Sequence, residues 1–292
     1  MTMTGSVLPR RRLGRRLRES RCAAGLTIAE AAERMQWSFT MLQRVEKGQV
    51  DKVRDVDVRE LCRIYEVDPD DLIGLSHEEN APAWWRDFAD LLPERFDLYL
   101  GLESAADRLA IHQSEVVPEV LRTARYERTL AHGVRPAESA ADLRRWMRLR
   151  GLRREPFFRE TDPVRAEFVL DEAVLRRVVG SRAVMAAQCS ALAEFSSRTN
   201  LSIKVLPFTA GFPANHPVGS FTILDFGKDS EDRRVEPTVV RLETFTTATL
   251  LDKPSAVAAY ENAFATVEAA ALDAEASRER LAEFAREFAN DS

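Results

Sequence analysis

The sequence predicts two domains: a mainly α N-terminal domain built on a helix-turn-helix, and a larger α+β C-terminal domain whose short strands form an antiparallel or mixed sheet. Three observations predict it. Thr27 to Gly48 reads as two short helices joined by a tight turn, strands rich in Val, Ile, Phe and Thr begin only after Pro163, and basic charge gathers at one end of the chain.

Thr27 suits an N-cap, because its hydroxyl can accept from a backbone amide that the first helical turn leaves unpaired, and Glu30 three positions on completes a capping box. Ile28, Ala31, Ala32 and Met35 follow at spacings of three and four and define one inward face. Ser38 caps the second helix, whose Leu42 and Val45 are expected to pack on Ala31, Met35 and Trp37, with Ala32 small where the two helices cross. Ser38, Phe39, Thr40, Gln43, Arg44 and Lys47 then project outward at helical spacing.

That outward set has the chemistry of a DNA-reading helix, which must offer polar side chains to a major groove while its other face is braced. Gln43 suits bidentate pairing with adenine, or is an ordinary surface glutamine. Arg44 and Lys47 suit phosphates, with Glu33 or Glu46 as the alternative partner for Arg44. Ser38 and Thr40 lie at a helix start, where free amides favour a phosphate and capping is the plainer role. Phe39 could meet a thymine methyl or pack on a neighbouring helix.

The 292 residues are 45% hydrophobic and 30% charged, ordinary for a globular protein and enough for two domains. A net charge of -5 conceals an asymmetry: residues 1–54 hold 12 Lys and Arg against 5 Asp and Glu, a net of +7, which leaves -12 on the rest. Arg10, Arg11, Arg12, Arg15, Arg16, Arg18 and Arg21 sit in or before the first helix, where several could lie beside a phosphate backbone. No apolar run approaches membrane-spanning length and Met1 to Pro9 lacks a signal-peptide stretch, so a cytoplasmic protein without a membrane partner is expected. Cys22, Cys62 and Cys189 are far apart and without metal-ligand spacing; free, mostly buried thiols are expected.

Ala81-Pro82 marks a hinge, because the residue before proline resists helix, which gives domains at 9–76 and 84–292 with a linker at 77–83. Trp84, Trp85, Phe88, Leu91, Leu92, Phe96, Leu98 and Tyr99 form an aromatic-rich stretch that is either core or one wall of a ligand or partner surface. Residues 97–155 read mainly as helix, with Leu102, Ala105, Ala106 and Leu109 as one stripe. Strands are expected at Ala166–Leu170, Leu201–Leu206, Ser220–Phe226 and Thr238–Leu242, with helices at Glu172–Val178, Ser181–Arg198, Ser255–Ala271 and Ala274–Ala289. Several strands are apolar on both faces, so helices should cover much of the sheet. Leu281, Phe284 and Phe288 make a stripe that must bury on this protomer or another.

Leu13, Leu17 and Arg18, the Ala23-Ala24-Gly25-Leu26-Thr27 junction and the Arg44-Val45-Glu46-Lys47-Gly48 ending resemble the lambda-repressor-like helix-turn-helix family, also called the xenobiotic-response-element type. The resemblance runs from Leu13 to Leu75 and implies five helices, the last two near Val56–Tyr65 and Pro69–Leu75. Two positions depart from it. Ile28 stands where the family usually has Gln, and Gln36 stands where the turn prefers Gly and so must adopt positive φ. Trp84-Trp85, Tyr99-Leu100-Gly101-Leu102-Glu103, Val117-Pro118, Leu170-Asp171-Glu172-Ala173 and Val205-Leu206-Pro207-Phe208 resemble a domain of unknown function attached to such modules in actinomycete regulators. There, Glu119 and Arg122 replace the usual Gly and Gln. The resemblance implies a transcription regulator, frequently encoded beside a small partner protein, and no catalytic activity.

The residues themselves offer no enzyme. His77, His112, His132 and His216 are scattered, and no paired cysteines, phosphate-cradling glycine loop or serine elbow occurs. Asp171 and Glu172, adjacent at a helix start, point apart and suit the helix dipole. Glu103, on an otherwise apolar helical face, is a structural hydrogen-bonding group or a contact to a ligand or partner, and His216 sits in a conceivable recognition loop, Phe208 to Pro217. The sequence thus predicts a sequence-specific regulator that binds double-stranded DNA as a homodimer through Arg15, Arg18, Thr27, Ser38, Phe39, Thr40, Gln43, Arg44 and Lys47, with neither metal nor cofactor. Trp84, Trp85, Glu103 and His216 are the candidate ligand or partner surface. The alternatives are an antitoxin-like, partner-controlled interaction module and a small-molecule-sensing regulator.

Overall fold

The computed structural model describes residues 7–50, 52–78, 84–93, 96–134, 139–161, 163–227, 236–244 and 247–290. The chain divides into two compact units, 1–105 and 106–292. Most of the linker placed by sequence at 77–83 lies outside the described residues.

The described residues of the first unit form helices and their connections: α1 (Val7–Ala23), α2 (Ile28–Arg34), α3 (Phe39–Glu46), α4 (Asp55–Tyr65), α5 (Asp70–Glu78), a 3₁₀ segment at Trp84–Leu91 and α6 (Phe96–Ala105). Local chemistry sets these boundaries. The Thr27 Oγ1 accepts from the Glu30 N–H at 3.2 Å while the Glu30 carboxylate accepts from the Thr27 N–H at 2.8 Å, the reciprocal pair a capping box requires. Ser38 Oγ accepts from the Met41 N–H at 3.1 Å and starts α3. Between the two helices Gln36 takes φ 55°, as a turn designed for glycine demands. Leu13 and Leu17 of α1, Ala31 and Ala32 of α2, Leu42 and Val45 of α3, and Val58, Leu61 and Cys62 of α4 form one buried core, with Ile28, Met35 and Trp37 packed at its edge. Cys22 is exposed, unlike Cys62 and Cys189, because it lies on the solvent side of the last turn of α1.

The second unit holds a six-stranded mixed sheet in the order β3-β2-β1-β4-β5-β6. Its elements in chain order are β1 (Arg108–Gln113), α7 (Ala124–Val134), α8 (Ala140–Phe158), β2 (Arg165–Asp171), α9 (Glu172–Arg176), α10 (Arg182–Phe195), β3 (Leu201–Leu206), β4 (Phe221–Asp225), β5 (Val239–Glu243), β6 (Ala248–Leu251), α11 (Pro254–Ala270) and α12 (Ala274–Asn290). Strands β1, β2 and β3 run parallel, with Ile111 opposite Phe168 and Phe168 opposite Ile203, whereas β4, β5 and β6 add antiparallel. Helix α11 covers one face, where Val257, Phe264 and Val267 meet Ala110, Val169, Phe221, Ile223 and Val240. The outer edge of β3 is closed by its own chain: Val205 donates to Ser277 Oγ at 3.0 Å, and its carbonyl accepts from the Leu272 N–H at 2.9 Å. Leu281, Phe284 and Phe288 of α12 bury within this chain, against α10 and β3.

The described residues of 97–155 are mainly helical, as expected, but one expectation within them is corrected: Leu109 does not continue the stripe of Leu102 and Ala105, because Arg108–Gln113 is a strand in the middle of the sheet. Leu109, Ala110, Ile111 and His112 are all buried, so both faces are covered and the period-2 alternation that announces a strand is missing. Strand β6 was not anticipated either; four residues at a sheet edge, half of them exposed, carry little apolar signal.

A buried ionic cluster closes the loop before α7. Glu119 pairs with Arg153 and, at 3.4 Å, with Arg150, while Glu127 takes Arg122 at 3.0 Å, Arg150 at 2.9 Å and the Trp146 indole N–H at 3.1 Å. Burial pushes the Glu119 carboxyl up, but Arg153, Arg150 and Arg122 together hold it well below the ordinary carboxylate value. The unusual Glu119 and Arg122 are therefore two members of one structural network.

Candidate nucleic-acid interface

The interface begins with how α3 is seated. Its inward residues Leu42, Val45 and Glu46 are buried, and Glu46 is the unusual one, a carboxylate 8% exposed. Arg21, near the end of α1, meets it with a two-pronged bond, Nε to Oε1 at 2.6 Å and Nη2 to Oε2 at 3.0 Å, while Nη1 donates to the Leu26 carbonyl at 2.8 Å. The fork geometry of guanidinium matches carboxylate and leaves little of either charge unpaired. The hydrogen bond that Arg21 donates to Glu46, acting against burial, raises the Arg21 pKa above its ordinary value.

Two glycines let α1 approach this closely. A Cβ on Gly14 would sit 2.5 Å from the Val45 carbonyl oxygen and 2.7 Å from that of Glu46. At Gly48, φ is +62° and a Cβ would lie 2.9 Å from the backbone of Arg11. The C-terminal end of α3 is thus clamped to α1 by an ion pair and two close backbone approaches.

The opposite edge of α3 is open. Ser38, Thr40, Arg44 and Lys47 are exposed, Phe39 is 49% exposed, and Gln43 is half-buried at the edge of the same surface. The six residues therefore share the outward side of one two-turn helix. Arg44 pairs with neither Glu33 nor Glu46: Glu46 is taken by Arg21, and among the described residues Arg44 makes one long contact, 3.4 Å to the Gln49 carbonyl. Its guanidinium is held loosely enough to reach a phosphate. Thr27 is exposed, its hydroxyl donating to Glu30 at 2.7 Å and accepting from the Glu30 N–H.

The arginines of α1 differ in burial. Arg10 and Arg21 are buried, so Arg21 belongs to the clamp and leaves the candidate phosphate set. Arg15 and Arg16 lie 4.0 and 3.7 Å from Glu19, contacts weak enough in water for a phosphate to displace them, and Arg18 is exposed. Sequence reasoning missed Gly14, and the Arg21–Glu46 pair as well. The pair is 25 residues apart, and the sole hint was that Glu46 follows Val45 toward the inward side.

The other candidate residues fall in separate units, Trp84, Trp85 and Glu103 in the first and His216 in the second. Trp85 is buried against Trp84 with ring centroids 5.5 Å apart, and the Trp84 Nε1 donates to Ser104 Oγ at 3.3 Å. Glu103 is buried and accepts from the Tyr99 hydroxyl at 2.7 Å, the structural hydrogen bond that the sequence allowed. His216 belongs to the second unit, exposed, its Nδ1 2.7 Å from the Pro217 carbonyl oxygen. Among the described residues no three His, Cys, Asp or Glu side chains gather as a metal site, and no helix is long and apolar enough to cross a membrane.

Comparison with known proteins gives the chain two matches. Residues 12–73 match a helix-turn-helix domain, which spans α1 to α4 and the start of α5 and marks a DNA-binding regulator. Residues 96–283 match a domain of unknown function, DUF5753, from the start of α6 into α12. No curated protein matches. The chain belongs to the DUF5753 family, here carrying an N-terminal helix-turn-helix domain.

Proposed function

We propose that the chain is a sequence-specific transcriptional regulator of the lambda-repressor-like, xenobiotic-response-element type, which inserts α3 into the DNA major groove and acts as a cytoplasmic homodimer controlled through its C-terminal domain. One observation carries it: α3 is clamped by Arg21, Gly14 and Gly48 on its inner side, while Ser38, Phe39, Thr40, Gln43, Arg44 and Lys47 share its open side. A rigid helix with a polar outer edge is the geometry groove reading requires. Within that edge Gln43 reads a base, Arg44 and Lys47 hold phosphates, and the start of α3 at Ser38 and Thr40 faces a phosphate with its unpaired amides. Arg15 and Arg18 of α1 extend the cationic surface. The second domain is read as a regulatory, partner-binding body with no catalytic role, since among the described residues no set supplies nucleophile, base and stabiliser together.

The test is selection of duplexes from a random pool by the purified full-length chain at low salt. Enrichment of a motif with two related half-sites about one helical turn apart is expected. A bound pool no richer in any sequence than the starting one overturns the proposal.

A further inference from the structure

Five large apolar side chains stand exposed among the described residues, Phe39, Val56, Val178, Phe208 and Phe212, and one of them lies on the outward edge of α3. Phe39 is the first residue of that helix, next to the Ser38 cap, and is 49% exposed. Trp37 and Met41, two positions to either side of it, pack against the buried core of the first unit. Phe39 instead stands in the open beside Thr40 and one helical turn from Gln43. It is the single apolar member of an edge otherwise made of Ser38, Thr40, Gln43, Arg44 and Lys47.

A phenyl ring in that place narrows what it can meet in a major groove. It has no hydrogen-bond donor or acceptor, so laying it on the polar atoms of a base edge would desolvate them without a partner. The groove offers one apolar group, the C5-methyl of thymine. Contact between ring and methyl takes both out of water and strands no polar atom. Isolated apolar side chains on a protein surface ordinarily need no explanation; the position of Phe39, among the side chains that face the DNA, is what calls for one.

We propose that Phe39 reads thymine, seating its ring on the 5-methyl group of one thymine in each half-site, so that recognition depends on a methyl group as well as on hydrogen bonds. This rests on the reading of α3 as the helix that enters the groove. Spacing sets where the thymine lies. Four residues of α-helix rise about 6 Å, close to two base-pair steps of about 3.4 Å, which puts the thymine within about two base pairs of the position read by Gln43. With adenine suited to Gln43, the two residues together favour a short A·T-rich core in each half-site.

The test replaces each thymine of the selected duplex in turn by uracil, which removes the methyl group and leaves every hydrogen-bonding group of the base in place. Affinities are measured by fluorescence anisotropy for full-length wild type, Phe39→Ala and Lys47→Ala, with a thermal melt of each to verify the fold. Expected is one thymine per half-site, within about two base pairs of the Gln43 position, whose replacement weakens wild type about fourfold, the scale of one methyl group withheld from burial. Phe39→Ala should bind the thymine and uracil duplexes within about twofold of each other, while Lys47→Ala weakens both and keeps their ratio. A uracil effect that persists in Phe39→Ala, or a Phe39→Ala chain reduced to monomer in light scattering where wild type is a dimer, would overturn the assignment. A selected motif indifferent to uracil at every thymine overturns it alone, whereas failure to select any motif removes the groove-reading proposal and this one with it.

Discussion

Glu46 shows how one side chain decides what its neighbours can do. Its carboxylate is buried and satisfied by Arg21, so Arg44, two positions earlier on the helix, does not pair with it and, among the described residues, makes one long contact to the Gln49 carbonyl. Removing one member of a buried pair strands the other charge, so Arg21→Ala should cost about 3–5 kcal/mol in denaturant unfolding, while Arg21→Met with Glu46→Leu should cost much less. Equal losses in both would mean that the pair acts by packing alone. Lys47 is a point charge at the helix end, and Lys47→Ala should weaken binding to every duplex by a similar factor, measured by fluorescence anisotropy on matched and mismatched sites. The outward residues could be read from spacing because helical geometry assigns faces locally. Arg21 could not, since sequence alone made it one more arginine in a basic run; only the tertiary contact separates it from Arg18.

The seating of α3 is a property of the helix pair. Gly48→Ala places a Cβ where φ is +62° and Arg11 backbone atoms lie 2.9 Å away, a strain of roughly 1–3 kcal/mol that should lower the melting temperature and loosen DNA binding together. An unchanged melting temperature would show that the α1–α3 approach is softer than its geometry implies. The helices around it were predictable because capping residues announce their ends: Thr27, Ser38 and the positive φ at Gln36 all stand where the chain calls for them. Strand β1 was hidden because burial on both faces erases alternation. That strand carries His112, whose Nδ1 is 2.6 Å from the Gly219 carbonyl oxygen and whose Nε2 has no hydrogen-bond partner among the described residues. Burial lowers its pKa below 6.5, outweighing the Gly219 carbonyl and Asp171, which favour the charged ring. The folded state therefore prefers neutral His112, so this contribution is complete well above pH 6.5 and is lost as pH falls below it. Stability to urea should decline on the acid side of 6.5 in the wild type and more shallowly in His112→Gln; parallel profiles would remove His112 from the account.

Taken whole, the chain separates charge: +7 on residues 1–54 and -12 on the remainder. The basic portion coincides with α1 to α3, so the field of the molecule should orient that end toward DNA while the acidic body discourages non-specific wrapping. For a dimer making about 6–10 phosphate contacts, affinity should fall by roughly 10³–10⁵ between about 50 and about 200 mM salt; a flat response contradicts the cationic surface. Because one recognition helix spans few base pairs, light scattering at micromolar protein should give the mass of a dimer, and a monomer with and without its DNA site would refute the homodimer.

The central claim is that the open edge of α3 reads base identity, and comparing the binding-site profiles that wild type and Gln43→Ala select from one random duplex pool tests it most directly. The account predicts that preference relaxes by about 1–3 kcal/mol at one position in each half-site while flanking positions hold. Superimposable profiles, with affinity unchanged, would contradict it.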